Sequence, residues 1–290
     1  PSYLDCRRAL RQHMPELVST WERLVELAGG GDIEARVLSM WCPPLYIAGC
    51  SQAVWIDPLG AQGPALLRNY DYSPDLLEGN WLASRWCGQR VLAMSDCLWG
   101  ALDGMNELGL AASLSFGGRA EAGEGFGIPL VMRYLLEVSG TVEEACAVLK
   151  RVPAHMSYNV TLLDASGHWA TVFVGPDQAT YLTRRRAITN FQHQVDWPEH
   201  AKATSAVERL AALEHWVLDR SRSLPEATAA LLQPPLFQTS YRRGYGTLYS
   251  AVYQPINRSV ELLWQDQRWQ QSPLAPLAGE RDIVFPTGQD

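Results

Sequence analysis

The sequence predicts an α+β fold, with strands paired in runs and helices gathered between them. Three observations carry this. Strand-like patterning fills 45–72 and continues from 81 to 116 without an intervening helix signal. A tight turn signal, Ala165-Ser166-Gly167, sits between two further strand patterns as in a hairpin. Helical periodicity is confined to separate blocks, so the alternating strand and helix units of a parallel sheet are not seen.

Leu4, Leu10, Met14, Leu17, Trp21, Leu24 and Leu27 recur near helical spacing, which predicts one long helix ended by Gly29-Gly30-Gly31. A second short helix is expected from Ile33 to Trp41. Pro43-Pro44 stops it, because the residue before a proline is pushed toward extended backbone. Leu45 to Ile56 and Ala65 to Tyr72 read as strands joined by a Pro58-Leu59-Gly60 turn. After the strand-like segments of 81–116, the glycine-rich stretch Gly117 to Gly127 leads into a helix near Pro129, proline being well placed in a first helical turn. Thr141 opens a helix to Arg151, with Glu144 completing a capping box. Tyr158 to Asp164 and His168 to Val174 form the hairpin, followed by strands near Tyr181 and Ile188. Val207, Leu210, Leu213 and Val217 mark a helical stripe. Thr247 to Tyr253 and Val260 to Trp264 close as a last hairpin around Pro255-Ile256-Asn257.

With 290 residues, no low-complexity linker and no solenoid-length repeat, one large domain is expected. A formal charge of −7 and a pI near 5.4 argue against a nucleic-acid binder, which needs a basic surface. The dense basic run Arg184-Arg185-Arg186 reads as an exposed strand end. Cysteines at 6, 42, 50, 87, 97 and 146 lack Cys-x-x-Cys spacing and read as reduced thiols. His193, Asp196 and His200 are poor zinc ligands as a set, since Pro198 interrupts the helix that would align them. No metal and no cofactor is expected. Gly123-Glu124-Gly125-Phe126-Gly127 lacks both dinucleotide and P-loop spacing, and Glu124 would repel phosphate. No apolar run reaches the roughly 18 residues of a membrane span and no signal peptide is visible, so no membrane partner and a cytoplasmic location are expected.

Chemistry is concentrated in Gly49-Cys50-Ser51, in Arg68-Asn69-Tyr70-Asp71 eighteen residues later, and in Asp103-Gly104-Met105-Asn106-Glu107. A lone cysteine is more often a small buried hydrophobe than a nucleophile. Here a glycine precedes it, and glycine tolerates strained backbone and leaves its carbonyl unshielded. Attack of the thiol on the Gly49 carbonyl would give a thioester, and hydrolysis would leave residue 50 as a new N-terminus. That residue would carry both a nucleophile and a base, because a free α-amino group titrates near about 7.7–8.0. A serine nucleophile has less support: Ser115 in Ser113-Leu114-Ser115-Phe116-Gly117 lacks the first glycine of a nucleophile elbow.

From about Gly49 to Trp264 the chain resembles the cysteine branch of the N-terminal nucleophile hydrolases, which includes isopenicillin N acyltransferase and the choloylglycine hydrolases. The resemblance is carried by the three blocks above together with Leu108-Gly109-Leu110, Thr189-Asn190, Ser205 with Arg209, and Gly246-Thr247-Leu248-Tyr249-Ser250, in that order. It implies a four-layer αββα sandwich of two antiparallel sheets. It also implies Cys50 as nucleophile, Arg68 beside the sulfur, and Asp71 holding the new α-amine. Asn106 and Asn190 would offer amide donors near the oxyanion and the scissile nitrogen, and Arg209 would brace the site. Residues 1–49 would be a pro-segment and 50–290 the catalytic domain, the two fragments staying associated. Forty-nine residues before the cysteine place the chain nearer the acyltransferases than the bile acid hydrolases. The start at Pro1, without a methionine, is compatible with an upstream segment that is missing or processed.

Substrate identity is less legible. Trp81, Trp86 and Trp99 are candidate walls of an acyl pocket, since aromatic walls suit apolar ligands, and residues 73–80 are a candidate lid. Two readings stand. In the first, the chain is a self-processing cysteine amidohydrolase or acyltransferase acting on a linear, non-peptide amide or other small acyl donor. In the second, it is an uncleaved, inert relative that binds a small molecule or serves as structure. A homo-oligomer is compatible with both.

Overall fold

The computed structural model describes residues 1–57, 60, 62–219, 221–275 and 279–285; Pro58 and Leu59 of the expected turn lie outside them. The chain begins with three helices, α1 (Tyr3–His13), α2 (Val18–Ala28) and α3 (Asp32–Ser39). The single long N-terminal helix expected from the periodicity is therefore broken. Pro15 has no N–H to give a helical ladder and pushes Met14 to φ −140°, so α1 ends there and a short 3₁₀ turn intervenes before α2. Residues 43–48 run on without strand pairing, and strand β1 begins at Gly49, four residues later than the apolar pattern alone indicated, and ends at Trp55.

Strand β2 (Ala65–Tyr72) pairs antiparallel with β1, setting Gly49 opposite Asp71, Cys50 opposite Tyr70 and Gln52 opposite Arg68. The chain then lays down β3 (Trp81–Ser84), β4 (Val91–Met94), β5 (Asp103–Asn106) and β6 (Ala111–Phe116) as a meander. Helices α4 (Ile128–Val138) and α5 (Val142–Arg151) follow, and α5 has the Thr141–Glu144 capping box read from sequence. Next come β7 (Tyr158–Leu163), β8 (Trp169–Val174), β9 (Tyr181–Thr183) and β10 (Ala187–Ile188). Pro198 opens α6 (Pro198–Ala203) where a helix interruption was expected, because the first helical turn has no need of a proline N–H. Then follow α7 (Ala206–Ala212), a π turn at Leu213–Val217, α8 (Leu224–Leu231), and strands β11 (Gly246–Gln254), β12 (Ser259–Leu263) and β13 (Arg268–Gln271).

Two antiparallel sheets result, ordered β10-β1-β2-β11-β12-β13 and β3-β4-β5-β6-β7-β8-β9. On one outer face, α7, the π turn and α8 bury Leu213, Val217, Ala227 and Leu231 against Ala53, Trp55 and Leu67. On the other, α4 and α5 pack on the second sheet. Every residue of β1, β6 and β7 is buried, as strands covered on both faces must be. The α+β expectation and the layered sandwich are thus both met. Among the described residues no helix is long and apolar enough to cross a membrane.

The layer between the sheets is polar at its centre. Gln52 Nε2 reaches Ser115 Oγ at 3.2 Å, Asn159 Nδ2 donates to the same hydroxyl at 3.1 Å, and that hydroxyl donates to Thr189 O at 3.0 Å. Period-2 alternation turns Leu114, Val160 and Leu162 the other way, toward the helices.

Candidate active site

Alternation along β2 sets the site's geometry. Arg68 and Asp71 are three apart on a strand, so they point to opposite faces. Arg68 enters the space between the sheets, where it shares a face with Cys50. Its Nη2 lies 3.5 Å from Cys50 Sγ, while Nη1 donates to Leu102 O at 2.8 Å and faces Asp103 Oδ1 at 3.3 Å. Its guanidinium also sits over the rings of Tyr70 and Tyr249, at 5.1 and 5.9 Å. Asp103 accepts hydrogen bonds from the Tyr249 and Tyr253 hydroxyls, so both the cation and its counter-ion are held within a fully buried cluster.

Asp71 and Arg209 meet on the helical face of the sheet. Asp71 Oδ1 accepts from Thr247 Oγ1 at 2.7 Å; Oδ2 makes no hydrogen bond and faces Arg209 Nη1 at 3.3 Å. Arg209 also donates to Cys50 O at 2.6 Å, Ser51 Oγ at 2.8 Å, Thr204 O at 2.8 Å and Asn190 Oδ1 at 2.6 Å. That last bond fixes the orientation of the Asn190 amide. Its oxygen accepts from the Cys50 N–H at 3.0 Å, and its nitrogen donates to Ala48 O at 3.0 Å and Phe116 O at 3.3 Å. Asn190 therefore spans the Gly49–Cys50 bond, with its oxygen on the Cys50 nitrogen and its donor one residue upstream of that bond.

The structure does not bring Asn106 to this group. Asp103 and Asn106 are also three apart on a strand, and because Asp103 faces Arg68, Asn106 points to the helical side. Its Nδ2 donates to Leu136 O at 2.9 Å and Ser139 O at 2.6 Å, and its Oδ1 accepts from Leu108 N at 3.2 Å and Leu110 N at 3.0 Å. Asn106 staples the β5–β6 turn to the end of α4, with no polar atom left for a reacting group.

Two residues of the site escaped the sequence reading. Asp103 stood in the block that supplied Asn106, and strand alternation marked it as the member on the Arg68 face. Tyr245 had no comparable signal. Its buried hydroxyl has no hydrogen-bond partner among the described residues, and it lies where a side chain on residue 49 would collide with it.

Burial dominates the electrostatics of the thiol. Cys50 has no exposed surface, and burial pushes its thiol up to about 11, against the pull of Arg68. Burial likewise raises the Asp71 carboxyl above the usual range, although Arg209 and Thr247 draw it down.

The tryptophans separate. Trp81 lines a cavity of about 500 Å³ with Leu77, Met94, Leu248, Trp264 and Phe285. A bulge between Thr247 and Tyr249 frees Leu248 from regular pairing at this point. Gly79 and Asn80, of the lid candidate, are also on the wall. Trp86 and Trp99 are not. They pack on each other at 5.6 Å, Arg133 lies over Trp86 at 5.2 Å, and Trp99 Nε1 donates to Leu38 O of α3 at 2.9 Å.

The facing antiparallel sheets, their helical covers, and a cysteine at a strand start define the architecture of the N-terminal nucleophile hydrolases. The chain belongs to the acyl-coenzyme A:6-aminopenicillanic acid acyl-transferase family, whose sequence model matches residues 59–269. That span holds Arg68, Asp71, Asp103, Asn190 and Arg209 and begins just after Cys50. Membership makes the chain an enzyme of the class that cleaves amides or transfers acyl groups. Among solved structures it is similar to a variant of conjugated bile acid hydrolase from Clostridium perfringens (13% identity, TM-score 0.52, 77% of this chain and 92% of the other). It is similar also to penicillin V acylase from Agrobacterium tumefaciens (18%, 0.52, 77% and 86%). A third is the N-acylethanolamine-hydrolyzing acid amidase ortholog from Caenorhabditis elegans (15%, 0.50, 71% and 93%). At these identities the likeness is one of fold. No curated protein matches the chain by sequence.

Proposed function

We propose that the chain cuts itself between Gly49 and Cys50 and that residue 50, as the new N-terminus, hydrolyses or transfers the acyl group of a small linear amide through a thioester. The observation that carries this is the convergence on one residue, Cys50: Arg68 on its sulfur, Asn190 Oδ1 on its nitrogen, and Arg209 on its carbonyl. In the first reaction the sulfur bonds to the Gly49 carbonyl carbon, the C–N bond breaks, and the nitrogen takes a proton as it leaves. Water then adds to the thioester, releasing the Gly49 carboxylate and restoring the thiol. The freed α-amine stands beside Asn190 Oδ1 and within the surroundings of Asp71, whose Oδ2 has hydrogen-bonding capacity to spare. In later cycles that amine serves as base for the thiol, and substrate supplies the acyl carbon. Water or an amine as acceptor distinguishes hydrolysis from transfer.

Residues 1–49 remain bound to 50–290 in this reading. Leu10, Met14, Trp21 and Leu38 are buried, and Tyr134 donates to Glu16 at 2.6 Å, so release would expose a large apolar face. Small-molecule acyl donors are the expected partners.

The test is acyl-enzyme trapping. Processed protein treated with 4-nitrophenyl acetate should show a burst of nitrophenolate and a 50–290 fragment heavier by one acetyl group, and Cys50→Ala should lose both. A burst that survives in Cys50→Ala would remove the thioester from the mechanism.

A further inference from the structure

Tyr46, three residues before Gly49, is tied into the wall of the site. Its hydroxyl donates to Asp96 Oδ2 at 2.6 Å and lies 3.0 Å from the Tyr70 hydroxyl. Its carbonyl accepts from Tyr158 Oη at 2.9 Å, and its ring lies 6.3 Å from that of Tyr72. Tyr70 is the cross-strand partner of Cys50, so the two side chains share a face. The path from sulfur along Tyr70 ends at Asp96. Asp96 is 8% exposed and sits in the β4–β5 connection, just before Cys97 and Leu98, both at positive φ (53° and 72°).

Cys50 has no exposed surface, so an external substrate needs space opened beside it, and a cut before Cys50 frees residues 46–49 to supply that space. Their departure removes the Tyr46 phenol and leaves a nearly buried carboxylate and a tyrosine hydroxyl facing the vacated space. Asp96 then keeps the Cys97 N–H but has lost its phenol donor, and a nearly buried carboxylate short of a donor is costly, so an occupant that restores the donor is favoured over one that does not. The leader is itself the acyl half of the first reaction, since its Gly49 carbonyl forms the thioester. Resting on the self-processing reading above, we propose that Asp96 and the Tyr70 hydroxyl form the specificity site for the acyl half of the substrate, selecting acyl groups that end in a hydroxyphenyl group or a comparable hydrogen-bond donor. Tyr46 holds that place in the uncut chain.

The experiment compares ω-(4-hydroxyphenyl)acyl and ω-phenylacyl 4-nitroanilides, with one to four methylenes between ring and carbonyl, on processed wild type and on Asp96→Ala. At the best-fitting length the hydroxyl should raise kcat/KM of wild type by about tenfold or more, the scale of one hydrogen bond to a charged group, and Asp96→Ala should erase the preference while still cleaving the phenyl series. Asp96→Asn, which keeps an acceptor and the shape of the side chain, should retain part of it. Equal turnover of both series, a preference that survives in Asp96→Ala, or no turnover by a chain that has cut itself would each overturn the Asp96 site and leave self-processing standing. A chain that does not cut itself would overturn both.

Discussion

Replacing Asp71 with asparagine removes one charge and little else. The Thr247 hydroxyl, 2.7 Å from Oδ1, keeps an acceptor, and the side-chain volume is unchanged. The lost attraction to Arg209 at 3.3 Å is about 5 kcal/mol at an effective dielectric of about 20. Burial opposes it, and the raised Asp71 carboxyl shows that burial outweighs the stabilising partners. Arg209 also keeps its bonds to Cys50 O, Ser51, Asn190 and Thr204. The net change in stability at neutral pH should therefore stay within about 1 kcal/mol of wild type, about 2–4 °C in Tm, rather than showing the loss the ion pair alone would give. The new α-amine, by contrast, loses the charge that would hold it toward the sulfur, and turnover should fall by about 10²–10³, or about 3–4 kcal/mol in barrier. A raised carboxylate pKa means that ionisation disfavours the folded state as pH climbs past the unfolded value. Wild type thus gains stability at acid pH relative to neutral, and Asp71→Asn, blind to pH at this position, should compare better with wild type at pH 7 than at pH 4. Thermal unfolding at both pH values and nitroanilide turnover by the cut chain measure the two effects. Turnover within twofold of wild type, with the fold intact, would refute the role given to Asp71.

The remaining predictions are shorter. Gly49→Ala should slow self-cleavage tenfold or more, because the added methyl meets the Tyr245 hydroxyl, and Tyr245→Phe in the same chain should restore part of the rate; intact mass over time reads both. With the Cys50 thiol at about 11 in the uncut chain, less than about one molecule in a thousand carries thiolate at neutral pH. The self-cleavage rate should then rise about tenfold per pH unit from about pH 7 to 10, and a plateau below pH 8 would contradict a free-thiolate attack. Asn106→Ala should lower stability by about 2–4 kcal/mol through its lost staple, while the kcat of the folded, cut enzyme stays within about threefold.

Part of the site was legible because two of its blocks, Gly49-Cys50-Ser51 and Arg68 to Asp71, lie on strands that follow one another in the chain and pair. Arg68 and Asp71 came from one such strand, and period 2 alone assigns them to sulfur and backbone sides. The same rule, applied to Asp103 and Asn106, would have exchanged their roles, since residues three apart on a strand cannot share a face. Pro15 and Pro198 show the complementary difficulty: one proline broke a periodic helix and the other began one, and the distinction lies in whether a helical turn precedes it. α8 carried a readable signal, Ser223 with Glu226 as a capping box and Pro225 in the first turn. Tyr245, Asp96 and Tyr46 were not legible, because they meet the site only through long-range packing. The parting of Trp86 and Trp99 from the cavity is of the same kind: Trp99, near the site in sequence, packs on the N-terminal helix α3.

The most direct test is a reducing, denaturing intact-mass spectrum of freshly purified wild type beside Cys50→Ala. Self-processing predicts two wild-type species whose masses sum to the precursor plus one water, cut before Cys50, and a single uncut mass for the variant. An uncut wild type that stays uncut over days at neutral and alkaline pH, or a variant that is cut at the same bond, would contradict it.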